Sequence, residues 1–274
     1  MALATLQAGL TRDRCVVDTN LLQLLADQSR YVDGVVHDAM RYAVLGPAQR
    51  IRPILALRVA RVIDAPVDLT VRAALSLELL HCASLIVDDL PCMDDSPMRR
   101  GQPSLHVKFG EATAVLAAFG LVALAARTLV EPECAPSYNL IQFQIALLRS
   151  LDCAGLIAGQ ALDLRLAGQS GAAPQPDISE LKTVPLFMLA ISAGSLSVDL
   201  NPNEKALLNG FGREFGLAFQ MTDDVLDGEP ADLSLLDDKL TTLRATIAPF
   251  GPASRELEDL VDYLHARVAP SHAN

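Results

Sequence analysis

Residues 73–101 constrain the fold of this chain more than any other stretch. They run Ala73-Ala-Leu-Ser-Leu-Glu-Leu-Leu-His-Cys-Ala-Ser-Leu-Ile-Val87, apolar on nearly every helical face. Asp88 and Asp89 follow, then Asp94 and Asp95, then Arg99-Arg100-Gly101. A helix apolar all round belongs inside a protein. Carboxylates clustered where such a helix ends repel one another, and burial makes each costlier. A cation relieves both costs, and oxygen-only ligands suit Mg²⁺.

The rest of the chain is built to surround such a helix. Hydrophobic residues make up 51% and charged residues only 20%, so a large core is available, with part of the surface buried between subunits. The longest apolar stretch, Ala114 to Ala126, is closed by Glu111 and Arg127. That is shorter than the roughly 18 residues of a membrane span, so it reads as a core helix and no membrane span is expected. The N-terminus has no basic region leading into a long apolar one and reads as lacking a secretory signal. Five scattered cysteines, odd in number and without zinc spacing, read as reduced thiols of a cytoplasmic protein. A net charge of −11 excludes a general nucleic-acid binder.

Apolar residues recur at helical spacing throughout, with no sustained period-two alternation. The chain is therefore expected to be all-α, a single-domain bundle over residues 1–274 with 1–16 as a loose arm. Helices are predicted over 17–44, 54–63, 68–89, 106–127, 138–167, 177–198, 203–227, 234–248 and 253–268. Gly46-Pro47 breaks the first, Glu131 to Pro136 forms a turn, and Gly168 to Pro176 is the clearest surface loop. Pro53 fits a first helical turn, which places Arg50 and Arg52 at a helix N-terminus, where free amides also attract anions.

A second acidic cluster, Asp223-Asp-Val-Leu-Asp227, closes the helix at 203–227. Asp223 and Asp227 are four apart and share one helical face. Asp88 and Asp94 are six apart, on different faces of a regular helix, and Pro91 gives that helix a reason to deform. Alone, the first cluster reads equally as a metal site or an acidic surface, and the second more readily as a solvated acidic helix end. Two of them ending apolar helices in one bundle, with Arg50, Arg52, Arg99 and Arg100 nearby, describe a site for diphosphates and metal.

Those residues carry a resemblance. From about residue 46 to 243 the chain resembles the trans-isoprenyl diphosphate synthases, or polyprenyl synthetases. Asp88-Asp-Leu-Pro-Cys-Met-Asp94 with Arg99-Arg100-Gly101 is similar to the family's first Asp-rich motif. Asp223-Asp-Val-Leu-Asp227, preceded by Phe219-Gln220, is similar to the second. The resemblance implies antiparallel helices around a deep central cavity, in a homodimer. It implies a prenyltransferase that condenses isopentenyl diphosphate with an allylic diphosphate. It also implies metal ligation by Asp88, Asp89, Asp94, Asp223, Asp224 and Asp227 to about three Mg²⁺ ions. Arg50, Arg52, His81, Arg99, Arg100, Lys182 and Lys239 would bind substrate diphosphates. Lys182, Thr183 and Gln220 would face the breaking C–O bond and the allylic cation. Gly159-Gln160 and Asp163 match a further pattern of the family.

Three departures stand out. Pro47-Ala48-Gln49 precedes Arg50-Ile51-Arg52-Pro53, so Gln49 stands where the family has a lysine facing isopentenyl diphosphate. The segment after Asp227 is short, and only Lys239-Leu-Thr241 resembles its expected Lys-x-Thr. Ala118-Phe119 replaces a Gly-Asp pair. Ala83 and Ser84, one turn before Asp88, are small and would leave a prenyl tunnel open to a geranylgeranyl product. Leu79, Leu80 and Phe119 lie deeper. The alternatives are a farnesyl diphosphate synthase, a non-catalytic partner subunit of such a synthase, and a class I terpene cyclase, whose second motif has different residues and spacing.

Overall fold

A computed structural model describes residues 2–27, 34–130, 138–152, 155–166, 181–228 and 232–268. The helices are α1 (Ala2–Asp27), α2 (Gly34–Leu45), α3 (Ile51–Val62), α4 (Val67–Asp88), α5 (Leu105–Phe109) and α6 (Glu111–Thr128). They continue as α7 (Tyr138–Leu151), α8 (Leu156–Leu166), α9 (Val184–Gly194), α10 (Pro202–Leu226), α11 (Leu233–Ile247) and α12 (Arg255–Val268). A 3₁₀ turn at Ala248–Ser254 joins the last two. Among the described residues the only strands are β1 (Met98–Arg99) and β2 (Gln102–Pro103), paired antiparallel with Met98 opposite Pro103. The expected all-α fold is what the chain adopts.

α4 is the central helix. It lies between α3, α6 and α9, and its residues from Ala73 to Ala83 are all buried. Neighbouring helices approach closely where glycine removes a side chain. A Cβ on Gly194 of α9 would stand 2.6 Å from the Ala56 carbonyl of α3, and one on Gly212 of α10 would stand 2.4 Å from Ile191. Phe187 of α9 packs edge-on against Phe215 of α10, with centroids 5.4 Å apart.

Several boundaries differ from expectation, each for a local reason. Residues 1–16 were expected as a loose arm, yet α1 is helical from Ala2. Leu6, Leu10, Val17, Leu21 and Leu25 form its buried stripe. The helix predicted at 106–127 divides at Gly110, whose φ of 85° no other residue adopts easily. The helix predicted at 138–167 divides around Gly155, where a Cβ would lie 2.1 Å from the Ser150 carbonyl oxygen. The turn at 131–136 and the loop at 168–176 lie outside the described residues.

By length and composition alone, two described helices reach membrane-spanning size, Val67–Asp88 and Glu111–Thr128. This corrects the expectation that none would. The difference for α6 is that helix, unlike the apolar run inside it, includes its polar ends. α4 is enclosed by the bundle. α6 and α7 instead leave Leu116, Phe119, Ile141, Ile145 and Leu148 exposed.

Buried ion pairs fasten α1 and α12 to α3. Arg58 of α3 is 1% exposed. It donates to Asp13 of α1 at 2.8 Å, and to the Glu256 carbonyl at 2.9 Å and Asp259 at 3.3 Å, both on α12. Arg61 donates to the other Asp13 oxygen at 2.7 Å. Removing one partner of such a network leaves buried charge uncompensated, at a cost of about 3–5 kcal/mol. Arg58→Met is expected to lower the unfolding free energy by about that amount in urea titrations. A loss within about 0.5 kcal/mol would mean that these pairs do not fasten the two helices.

Candidate active site

Four helix ends meet at one end of the bundle. α3 and α4 run antiparallel, because only residues 63–66 join these two packed helices, and Arg50 at the start of α3 meets Glu78 midway along α4. α9 and α10 also run antiparallel, since Thr183 meets Gln220 while Ile191 meets Gly212. Arg52 stacks on Phe187, while Ala56 and Val59 meet Gly194, so α3 and α9 run parallel. The N-termini of α3 and α9 therefore lie beside the C-termini of α4 and α10. Helix N-termini favour anions. Carboxylates at helix C-termini are disfavoured by the carbonyl ends, and this is where both acidic motifs lie.

The acids divide into two groups. Asp89 is buried and accepts from Arg99 Nε at 2.9 and 3.2 Å, and from Arg99 Nη2. That ion pair raises the Arg99 guanidinium above its ordinary value. Asp224 accepts from Gln220 at 2.8 Å. These middle aspartates of the two motifs are each held by a nearby donor, as Asp223 is by Arg267. The other group is the first and last aspartates of each motif, Asp88 and Asp94, Asp223 and Asp227. α4 ends at Asp88, and the chain turns so that the Asp94 amide donates to the Asp88 carbonyl at 3.0 Å. The expected distortion around Pro91 is therefore present, and it folds the second aspartate back beside the first. Burial raises the Asp88 carboxyl to about 6; Asp94 and Asp89 add to this, and Lys182 and Arg99 oppose it. Burial likewise raises Asp223, against the opposing effect of Arg267.

Arg267 was not anticipated from the sequence. It is on α12, pairs with Asp223, donates to Thr222 Oγ1 at 2.6 Å, and lies 4.5 Å over the Phe219 ring. Tyr263, one turn earlier, donates to Gln49 Oε1 at 2.9 Å. The sequence signal was available: Tyr263 and Arg267 are four apart, beside the apolar stripe of Leu257, Leu260, Val261 and Leu264.

The expected cations also divide. All three guanidinium nitrogens of Arg50 are engaged, with Asp18 at 2.8 Å, Glu78 at 2.7 Å and the Val44 carbonyl. Arg50 thus holds α1, α2 and α4 together while also lining the cavity beside Arg52. Arg52 faces His81 at 3.2 Å and stacks on Phe187 at 4.8 Å. Burial lowers its guanidinium to about 10, and burial with the nearby arginines holds His81 well below its ordinary value. Arg52 Nε and His81 Nδ1 are buried without partners. A cavity of about 620 Å³ is lined by Arg14, Gln49, Arg52, His81, Arg99, Arg100 and Asp223, among others.

Gly159 lets α8 approach Lys182: a Cβ there would stand 2.6 Å from Lys182 Cγ. Gln160 of α8 is 3.5 Å from Asp94, and its Oε1 is buried without a partner. The Thr183 hydroxyl donates to Gln220 at 2.8 Å, which leaves the hydroxyl oxygen's lone pairs open. Lys239 does not join the site. It pairs at 2.7 Å with Glu214, nine residues before Asp223 and so about 13 Å along α10. Ala83 is buried, and Ser84 donates to the His81 carbonyl at 2.9 Å, one turn before Asp88. Phe119 does not line the interior, being 71% exposed on the outer face of α6.

Residues 33–233 match the family described as polyprenyl synthetase. The chain belongs to that family. A geranylgeranyl pyrophosphate synthase of Arabidopsis thaliana is 37% identical over 196 residues, covering 70% of this chain and 52% of that protein. A geranylgeranyl diphosphate synthase of Pseudescherichia vulneris is 35% identical over 218 residues, covering 78% of this chain and 70% of that protein. The chain thus spans about half the length of the first of these relatives. An FPP/GFPP synthase from Zymomonas mobilis superposes with a TM-score of 0.85 at 28% identity, covering 96% of this chain and 99% of that one. A geranyltransferase from Legionella pneumophila gives 0.83 at 28%, covering 94% and 98%.

Polyprenyl synthetases are known for dependence on divalent metal. Among the described residues no three His, Cys, Asp or Glu side chains stand close enough to hold an ion by themselves. The donor set still fits Mg²⁺, which keeps several waters and takes one or two carboxylates together with substrate phosphates. At Asp88, burial outweighs the positive charge of Lys182 and Arg99. The folded-state value of Asp88 lies above that of the unfolded chain, so folding favours the protonated form. That stabilisation is whole below about pH 4 and is lost as pH rises through about 6. Asp88→Asn escapes the loss. Without metal, the variant is expected to melt at a higher temperature than the parent at about pH 7, and at the same temperature below about pH 4. A lower melting temperature at about pH 7 would show that Asp88 is already compensated.

Proposed function

We propose that this polyprenyl synthetase joins isopentenyl diphosphate to an allylic diphosphate, with geranylgeranyl diphosphate as product. The observation that carries this reading is a pocket lined by Arg52, Arg100 and the neutral imidazole of His81, opening beside Asp223 of the second acidic motif. A terpene cyclase needs only one diphosphate site; an elongating enzyme needs two.

Arg52, His81 and Arg100 hold the diphosphate of isopentenyl diphosphate. Asp88 and Asp94 on one side, and Asp223 and Asp227 on the other, are the ligands for Mg²⁺. The bound metal would neutralise the allylic diphosphate and make it a better leaving group. Asp89 orients Arg99 towards that same diphosphate. Lys182 adds positive charge near Asp88. When the allylic C–O bond breaks, the open oxygen lone pairs of Thr183 and Gln220 stabilise the carbon left positive. The double bond of isopentenyl diphosphate attacks that carbon, and a proton leaves from the adjacent position to the released diphosphate. The side chains do this by fixing two substrates and developing charge in a preorganised setting.

The prenyl chain runs past Ser84 and Ala83, whose small size leaves room for the longer product. The exposed apolar residues of α6 and α7 form the face on which a second copy packs.

Purified protein with Mg²⁺, isopentenyl diphosphate and dimethylallyl, geranyl or farnesyl diphosphate is expected to release geranylgeranyl diphosphate. Asp88→Ala and Asp223→Ala are expected to lose about a thousandfold or more in kcat while keeping the parent's circular dichroism. Full activity in either variant refutes the metal assignment, and a cyclic hydrocarbon refutes elongation. Ala83→Phe is expected to shift the product to farnesyl diphosphate. An unchanged product length would place the tunnel floor elsewhere.

A further inference from the structure

α1 contributes to the diphosphate cavity, although its sequence carries none of the family's motifs. Asp18 of α1 donates nothing but accepts from Arg50 at 2.8 Å, which sets α1 against the turn at 49–52. Arg14 precedes Asp18 by four residues and so shares its face one turn earlier. The pairing of Asp13 with Arg58 and Arg61 fixes the helix from the adjacent position. Arg14 is thereby held at the cavity wall, which it lines together with Gln49, Arg52 and Arg100. It also lines an adjoining cavity of about 430 Å³ beneath Tyr263 and Arg267.

Two observations give Arg14 a purpose there. Its Nε is buried without a hydrogen-bond partner, an expensive condition for a guanidinium unless a ligand supplies an acceptor. Among the described residues no ion pair engages it, whereas Arg50, Arg58, Arg61 and Arg99 all have carboxylate partners. The neighbouring wall is short of charge. Gln49 is neutral, and its carbonyl oxygen is taken by Tyr263. A diphosphate bound by Arg52 and Arg100 alone would lack a counter-ion on that side.

We propose that Arg14 is a substrate-binding residue that supplies to isopentenyl diphosphate the charge that Gln49 does not bring. A guanidinium forks onto phosphate oxygens with two parallel hydrogen bonds, and helix α1 is pinned tightly enough to hold it in place. This rests on the reading of the cavity as a diphosphate site.

The test is calorimetric titration of isopentenyl diphosphate, with inorganic diphosphate as a second probe, into the full chain and its variants. Arg14→Gln is expected to weaken binding about ten- to a hundredfold, the worth of a charged hydrogen bond. The KM for isopentenyl diphosphate should rise to match, while the KM for the allylic substrate stays within about twofold. Arg14→Lys keeps the charge and should bind within about fivefold of the parent. Gln49→Lys in the Arg14→Gln background should restore most of the loss. Parental affinity in Arg14→Gln overturns the proposal. So does equal weakening in Arg14→Gln and Arg14→Lys, which would assign the residue a packing role. If the parent binds neither probe, the diphosphate reading fails first and the proposal with it. If the parent binds and Arg14→Gln binds equally, only the role of Arg14 fails.

Discussion

The structure depends on how fully its buried negative charge is compensated. Asp13, Asp18, Glu78 and Asp89 each have an arginine at hydrogen-bonding distance. They are structural acids, and their charge is cancelled inside the protein. Asp88 and Asp94 lie where α4 ends, and Asp223 and Asp227 where α10 ends, so the helix dipoles oppose their ionisation. Burial raises Asp88 and Asp223 above their ordinary values. An apolar bundle that concentrates acids at two such ends has stored unfavourable charge there. In the proposed function, metal and diphosphate together relieve it.

The cations show the same division. Arg50, Arg58, Arg61 and Arg99 are paired with acids, and the first three fasten α1 to the N-terminal half of the bundle. Arg14, Arg52 and Arg100 line the cavity with no such ion pair among the described residues, and Arg50 and Arg99 line it while paired. The paired set fixes where the others point. Arg50 and Arg52 illustrate this best, because two residues in one turn have opposite fates. Arg50, at the N-cap with a φ of 56°, turns inward to Glu78. Arg52 turns to the cavity and rests on the Phe187 ring.

The sequence made the architecture and both acidic motifs legible because each has a strong local signal. Helical periodicity marked α4 and α10, and the carboxylates at their ends needed a counter-charge. The uses of individual charges were less legible, because a partner far along the chain decides them. Nothing near Arg50 in sequence announces Glu78, and nothing near Lys239 announces Glu214. Asp89 looks like Asp88 until Arg99 folds back over it through the β1–β2 hairpin. The helical reading of α1 was within reach, since Leu6, Leu10, Val17 and Leu21 continue one stripe. The stripe of α12 showed which face of that helix is buried, but that Tyr263 and Arg267 reach the site is set by its packing against α3 and α10.

The central claim is that the two acidic motifs form one site, completed only when metal and diphosphate bind together. Titration of Mn²⁺ followed by electron paramagnetic resonance, with and without inorganic diphosphate, tests it most directly. The account predicts weak binding of the metal alone, and at least tenfold tighter binding once diphosphate is present. It also predicts that either Asp88→Asn or Asp223→Asn removes that gain. Metal affinity indifferent to diphosphate, or a gain that survives both substitutions, would contradict it.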